Sequence, residues 1–264
     1  MSRKLRVLTM AAGIAVLAAP VRAQLVEGFA PQRPAGCCLL GNAQRLTEQL
    51  ADWNQLGRHA QANRELMGKP VPRGRVVFMG DSITDGWDLA AGFPGKPYVN
   101  RGISGQTTAQ MLVRFYPDVI ALQPAAVAIF AGTNDIAGNN GPQTLAMIQQ
   151  NIMAMVELAK VHGIRVVLCA VMPVTDAKTA TPERGGGPIN QTRQRPPADI
   201  LKLNAWLVSY AREVGAGFVD YHAATAGADG MLRAEFTGDG LHPNAAGYKV
   251  MQPLIATALD AALR

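Results

Sequence analysis

The sequence predicts an α/β fold with a five-stranded parallel sheet and helices on both faces. Short apolar runs rich in β-branched residues alternate with longer segments whose apolar residues recur at helical spacing. Strands that are apolar throughout are typical of parallel sheets, because helices cover both of their faces. The chain has 264 residues, of which 48% are hydrophobic, so it is long enough to bury one sizeable core.

The predicted strands are short and end at glycine or at polar residues. They span residues 76–80, 98–100, 125–130, 165–171 and 217–221. The first apolar stripe predicts a helix that packs against the outside of the domain. This stripe consists of Ala43, Leu46, Leu50, Trp53 and Leu56. Pro142 is expected to begin a later helix, because proline is favoured in the first turn.

The first 23 residues predict a secretory signal peptide. A basic start precedes an apolar stretch over residues 7–19 and a small-residue cleavage site that ends at Ala23. The apolar stretch is shorter than the roughly 20 residues that a membrane-spanning helix needs. We therefore expect export to the periplasm or the extracellular space and no membrane span after cleavage. Residues 24–72 are expected to form a lead-in with one helix, and residues 73–264 the main domain.

The positive charge of the chain lies mostly in this leader. The formal charge is +6, and the leader holds four basic residues and no acid, so its removal lowers the charge to +2. The remaining balance favours no nucleic-acid partner. No cluster of His, Cys, Asp or Glu has the spacing of a metal site, so neither a metal nor a cofactor is expected.

Ser82 follows the first predicted strand directly, in Gly80-Asp81-Ser82. Ligands of α/β sheets bind at the carboxyl ends of the strands, so this serine lies where chemistry is expected. A serine hydroxyl needs a base to act as a nucleophile, and a histidine held by a carboxylate is the usual one. Asp239 and His242 supply such a pair three residues apart. The alternative is that Ser82 only caps the next helix.

Two other strand ends supply hydrogen-bond donors. The intermediate of acyl transfer needs donors aimed at its negatively charged oxygen. The backbone amides of Ser82 and Gly105 and the side-chain amide of Asn134 form the candidate oxyanion hole. Asp81 and Asp135 are expected to accept backbone hydrogen bonds and to tie neighbouring loops together.

Four short motifs together resemble those of the GDSL, or SGNH, hydrolases. They are Gly80-Asp81-Ser82-Ile83, Gly105, Gly132-Thr133-Asn134-Asp135 and Asp239-Gly240-Leu241-His242-Pro243-Asn244, in the family's order and approximate spacing. The resemblance runs from about Val76 to the C-terminus. It implies a three-layer α/β/α, flavodoxin-like sandwich and an SGNH hydrolase domain over residues 73–264. It also implies Ser82 as nucleophile, His242 as base, Asp239 as its orienter, and Ser82, Gly105 and Asn134 as oxyanion donors.

The residues and the resemblance together predict an exported serine esterase. It would hydrolyse carboxylic esters, short-chain or acetyl, through an acyl-enzyme on Ser82. A small-molecule or carbohydrate acyl ester is the expected substrate. Two alternatives remain open, namely a lysophospholipase or thioesterase acting on longer acyl chains, and a non-catalytic carbohydrate-binding protein on the same scaffold.

Residues 175–196 form the one long stretch of low hydrophobicity in the main domain. Loops of this length are usually functional lids or disordered inserts. Because this stretch follows the carboxyl end of a predicted strand, we expect it on the rim of the active site. Its composition predicts that it is mobile or only loosely packed.

Overall fold

The computed structural model describes residues 50–177 and 190–264. A single sheet lies at its centre, built from β1 (Val76–Gly80), β2 (Tyr98–Gly102), β3 (Ala126–Phe130), β4 (Arg165–Cys169) and β5 (Gly217–Val219). The strands are all parallel, in the order β2-β1-β3-β4-β5. The predicted five-stranded parallel sheet is confirmed, with every strand within two residues of its predicted bounds.

Helices lie between the strands and at both ends of the described chain. The described ones are α1 (Ala60–Met67), α2 (Ser82–Asp85), α3 (Leu89–Gly92), α4 (Thr108–Asp118), α5 (Thr133–Ile136), α6 (Leu145–Val161), α7 (Gln191–Gln194), α8 (Pro197–Val214), α9 (Tyr221–Thr225) and α10 (Ala245–Ala262). Short 3₁₀ turns lie at Ile120–Leu122 and Ala234–Phe236. In the described ranges no helix combines the length and the apolar content that crossing a bilayer requires.

Alternation along the strands divides the core into two layers. Val77 and Met79 of β1 face one side, where they pack with apolar residues of α4, α6 and α8. Val76 and Phe78 face the other side, where α10 covers the sheet. Successive side chains of a strand point to opposite faces, so a strand buried on both sides is apolar at every position. The predicted three-layer α/β/α arrangement is therefore confirmed.

The predicted first helix ends earlier than expected. Leu50 and Ala51 are helical, but the helix does not continue to Leu56. Residues 43–49 lie outside the described residues. The Asp52 carboxylate accepts the amides of Leu56 and Gly57 at 2.7 and 2.8 Å, which closes a turn inside the predicted helix. Trp53 is 50% exposed, so the apolar stripe does not form a buried face. The next helix, α1, begins after this turn.

Two other expectations need correction. The helix expected to begin at Pro142 begins at Leu145, because the Thr144 hydroxyl accepts the amide of Met147 and caps the helix there. The 175–196 stretch is described only at its two ends, and residues 178–189 lie outside the described residues. Its C-terminal end is not loosely packed, since Arg195 is only 6% exposed and is held by hydrogen bonds.

Candidate active site

Ser82 is the first residue of α2, directly after β1. The carboxylate of Asp81 accepts the amide of Ile83 at 3.0 Å and so caps this short helix. The chain turns so tightly here that a Cβ on Gly80 would lie 2.1 Å from the Thr84 hydroxyl. A glycine before the acid and the serine is therefore needed for the close approach of strand and helix.

Asp239, His242 and Ser82 form one continuous hydrogen-bonded chain. His242 Nε2 lies 2.8 Å from Ser82 Oγ, and His242 Nδ1 lies 2.6 Å from Asp239 Oδ2. The second oxygen of Asp239 accepts the amides of Leu241 and His242 at 3.0 and 2.8 Å. Partial burial raises the pKa of Asp239, but the hydrogen bonds from His242 and Leu241 outweigh it and hold that pKa well below its usual range.

The charge on Asp239 determines which imidazole nitrogen carries the proton. An ionised carboxylate only accepts hydrogen bonds, so the proton of a neutral His242 ring lies on Nδ1. Nε2 is then left as an acceptor toward the Ser82 hydroxyl. This arrangement can withdraw the serine proton as the hydroxyl attacks an electrophile.

The strand order brings the candidate oxyanion donors to the same edge of the sheet. β1 lies between β2 and β3, and Gly80 is in register with Gly102 and Phe130. Gly105 follows β2 with a φ of +81°, which favours glycine. Asn134 lies in the first turn of α5 after β3, only 3% exposed.

The Asn134 side chain is held at both of its polar atoms. Its Nδ2 donates to the backbone carbonyl of Gln106 at 3.1 Å, which joins it to the loop that carries Gly105. Its Oδ1 accepts from Arg195 Nη2 at 3.2 Å. The carbonyl of Gly105 accepts from Asn139 Nδ2 at 3.0 Å, so the glycine is held from the same side.

Two buried carboxyl groups support these loops. Asp135 accepts the backbone amide of Thr108 at 3.0 Å and its hydroxyl at 2.5 Å, which ties α5 to the start of α4. Asp81 bonds the amide of Ile83, as described above. The prediction that both acids accept backbone hydrogen bonds is confirmed, but only Asp135 ties two loops together, since Asp81 bonds within its own turn. Burial raises the pKa of each to about 6, because the charged form is poorly solvated there.

Residues 78–250 match the sequence model of the GDSL-like Lipase/Acylhydrolase family. The chain belongs to this family. The match covers more than half of the chain and contains all four motifs from which the resemblance was inferred.

Two solved structures resemble this GDSL-like chain over most of its length. A protein of Bacteroides fragilis NCTC 9343, assigned as an acylhydrolase, is 42% identical with a TM-score of 0.71, and the match covers 81% of this chain and 99% of that one. A GDSL-like lipase of Bacteroides thetaiotaomicron VPI-5482 is 37% identical with a TM-score of 0.69, and the match covers 80% and 100%.

Two weaker similarities complete the comparison. An acetylxylan esterase of Geobacillus stearothermophilus is 21% identical with a TM-score of 0.57 over 72% of this chain and 96% of its own, which shows a common fold alone. The uncharacterized lipoprotein YqeF of Bacillus subtilis (strain 168) is 30% identical over 120 residues, which are 38% of this chain and 49% of that protein. The match thus spans about half the length of this relative.

Sequence reasoning missed two arginines that contact the site of this GDSL-like acylhydrolase. Arg195 contacts Asn134, and Arg114 of α4 donates to the carbonyl of Gly80 at 3.0 Å. Arg195 lies in the 175–196 stretch that was expected on the rim of the site. The contacts of both arginines were not predicted, because apolar periodicity reports which positions face the core and says nothing about a buried cation. Within residues 50–177 and 190–264, no group of three or more His, Cys, Asp or Glu side chains is placed to hold a metal ion.

Proposed function

We propose that this GDSL-like acylhydrolase is an exported serine esterase that hydrolyses carboxylic esters, with short acyl chains or acetyl groups preferred. The observation that carries the proposal is the hydrogen-bonded chain from Asp239 through His242 to Ser82, at 2.6 and 2.8 Å. A serine, an imidazole and an ionised carboxylate in this order are the groups that acyl transfer requires.

The reaction proceeds through an acyl-enzyme. Ser82 Oγ attacks the ester carbonyl while His242 Nε2 takes its proton, and Asp239 stabilises the imidazolium that forms. His242 then gives the proton to the leaving alcohol as the carbon–oxygen bond breaks. Water attacks the acylated serine with His242 again as base, which releases the acid and restores the hydroxyl.

The negative charge in each step develops on the former carbonyl oxygen. The backbone amides of Ser82 and Gly105 and the Nδ2 group of Asn134 are the proposed donors to it. Asn134 has two Nδ2 hydrogens, and the bond to Gln106 occupies one of them. The second is left for the oxyanion. Donors that are already oriented need not reorganise during the reaction, which is the main source of their effect.

The preference for short acyl groups is supported by polar side chains beside Gly105 and Asp239. Ser104, beside Gly105, donates to Asp85 at 2.8 Å, and Gln191 Nε2 donates to the carbonyl of Asp239 at 3.3 Å. Side chains of this kind give a long acyl chain little apolar surface to cover. Export is supported by the basic and apolar first 23 residues and by the name of the Bacillus relative, a lipoprotein matched over half its length.

The test is labelling of Ser82 by a fluorophosphonate together with turnover of nitrophenyl esters of increasing acyl length. Ser82→Ala should remove the labelling and lower kcat by about four to six orders of magnitude, because the nucleophile is lost. Ser209→Ala is the matched control, since this exposed serine on α8 donates only to the carbonyl of Ala205. It should leave labelling and kcat unchanged.

The acyl series separates the preferred substrate from its alternative. A kcat/KM that falls steadily from acetyl to longer esters supports the short-chain preference. A kcat/KM that is highest for long acyl chains would instead support a lysophospholipase or thioesterase. Wild-type turnover in a correctly folded Ser82→Ala protein would rule out the acyl-enzyme itself.

A further inference from the structure

Arg195 is a buried cation at the candidate site whose partners are all neutral. Its Nε donates to the Thr133 hydroxyl at 3.1 Å, its Nη2 to Asn134 Oδ1 at 3.2 Å, and its Nη1 to Gln191 Oε1 at 2.8 Å. In the described part of the chain no carboxylate lies within ion-pair distance of it. A charge that is 94% shielded from water without a paired opposite charge is costly.

The geometry points to Arg195 as the positioning residue of the oxyanion hole, one that fixes the orientation of the Asn134 amide and strengthens its Nδ2 group as a donor. This inference rests on the proposed function, because it assigns Arg195 a role in the same reaction. It concerns no contact between Arg195 and the substrate.

Orientation is the first part of the argument. The two ends of an asparagine amide have nearly the same shape, so their neighbours decide which end points where. A guanidinium has only donors and a backbone carbonyl only accepts, so Arg195 and the Gln106 carbonyl both require the same orientation of Asn134. Without Arg195, only the Gln106 carbonyl would oppose a rotation of the amide that directs its acceptor oxygen at the oxyanion.

Polarisation is the second part. A hydrogen bond from a charged donor to the amide oxygen withdraws electron density from the amide nitrogen, which makes its hydrogens stronger donors. This effect grows as negative charge develops on the substrate oxygen, so it stabilises the transition state more than the bound ester. The loss on removal of Arg195 should therefore appear in kcat and not in KM.

Arg195 is itself held in place from the other side of the site. Gln191 accepts from the guanidinium with Oε1 and donates with Nε2 to the carbonyl of Asp239. The short helix α7 thus connects the loop of Asp239 to Asn134. A side chain fixed at both ends of its planar group loses little further freedom when the oxyanion forms.

The decisive experiment is a double-mutant cycle of Arg195→Gln and Asn134→Ala, with kcat and KM measured for a small acetyl ester. We expect Arg195→Gln alone to lower kcat by about 10- to 100-fold with KM changed less than about threefold, as for loss of one charge-assisted hydrogen bond. In the Asn134→Ala background the same change should lower kcat by less than about threefold, because the group through which Arg195 acts is gone.

Two further variants keep the test independent of folding. Arg195→Lys retains a charge and should lower kcat less than Arg195→Gln, and it can replace Gln in the cycle if the latter protein does not fold. Arg193→Gln is the matched control, since this exposed arginine lies on the same short helix. It should leave kcat and KM unchanged.

The outcomes distinguish this inference from the proposed function. Equal losses from Arg195→Gln in both backgrounds, or a change confined to KM, would overturn the positioning role while Ser82 still forms the acyl-enzyme. Turnover that persists in Ser82→Ala would instead overturn the proposed function, whatever Arg195 does. A coupled loss in kcat with intact fluorophosphonate labelling of Ser82 supports both.

Discussion

Arg114 and Arg195 are both buried arginines next to the candidate site, and they differ in what balances their charge. Arg114, with no exposed surface, forms an ion pair with Asp118 at 2.9 Å and donates to the carbonyls of Gly80 and Arg101. Arg195 bonds only neutral oxygens among the described residues. Burial lowers the pKa of both guanidinium groups; Asp118 opposes this at Arg114, and the charges of Asp81 and Asp239 oppose it at Arg195.

The difference indicates two separate uses of a buried cation. Because the charge of Arg114 is neutralised by its own neighbour, its effect on the site is mechanical, and it holds the end of β1 against α4. The charge of Arg195 is not cancelled at contact distance, so its field reaches Asn134. We therefore expect Arg114 to contribute mainly to the stability of the fold and Arg195 mainly to the rate of the reaction.

The largest expected effect is that of Arg114→Met on stability. Removal of one partner leaves the Asp118 carboxylate, which is 4% exposed, without its buried counter-charge. Such a loss typically costs about 3–5 kcal/mol of the free energy of unfolding. Urea unfolding followed by circular dichroism measures it, in parallel with Arg195→Gln.

The double variant Arg114→Met/Asp118→Leu is the control. With both charges replaced by apolar groups, part of the lost stability should return, because Asp118 is no longer a buried carboxylate that has lost its ion-pair partner. The assignment of separate roles to the two arginines would be wrong if Arg195→Gln destabilised the fold as much as Arg114→Met does and if the kcat of Arg195→Gln stayed at the wild-type value.

The parts of the fold that were predictable from the sequence are those determined by apolar pattern. β1 and β3 are apolar at almost every position because both of their faces are covered, and this pattern is visible without a structure. The order of the four motifs along the chain was also sufficient to predict that Ser82, Asp239 and His242 lie close together, since each follows a strand or precedes the last helix.

Helix α1 could not be predicted in the same way. It has a single buried residue, Asn63, whose side chain donates to Asp118 and accepts from Arg101. A helix anchored by polar contacts carries little apolar periodicity, so the sequence pattern did not indicate a helix at these residues. The contacts of Arg195 with Thr133 and Asn134 could not be predicted either, because these side chains are distant from it in sequence.

Asp135 is the acidic counterpart of Arg195: it is buried, and in the described ranges no cation lies at ion-pair distance from it. Burial raises its pKa to about 6 in the folded protein, above the usual value near 3.9 in the unfolded chain. Between these values the folded state binds more protons than the unfolded state, so stability falls as the pH rises. The loss from about pH 4 to pH 7 amounts to roughly 2 kcal/mol.

Asp135→Asn tests this expectation, because asparagine does not titrate. The free energy of unfolding of the variant minus that of the wild type should become more positive by about 2 kcal/mol between about pH 4 and pH 7. Any constant cost of the altered hydrogen bonds to Thr108 cancels from this change. A difference that stays flat, or that declines with rising pH, would contradict the raised pKa.

The smallest expected effect is that of Arg58→Gln, which removes the same kind of ion pair in contact with water. Arg58 Nη2 lies 3.5 Å from Asp85 Oδ1, and its side chain is 55% exposed. Exposed pairs contribute little, because water solvates both charges once they separate, so the free energy of unfolding should change by less than about 0.5 kcal/mol. Asp85 also keeps its bonds from the amide and hydroxyl of Ser104, so no buried acceptor is left unpaired.

Salt distinguishes this pair from the buried one: in about 1 M NaCl, where the screening length is about 3 Å, the effect of Arg58→Gln should vanish while that of Arg114→Met persists. A loss above about 1 kcal/mol that withstands the salt would show that exposure does not separate the two ion pairs as argued.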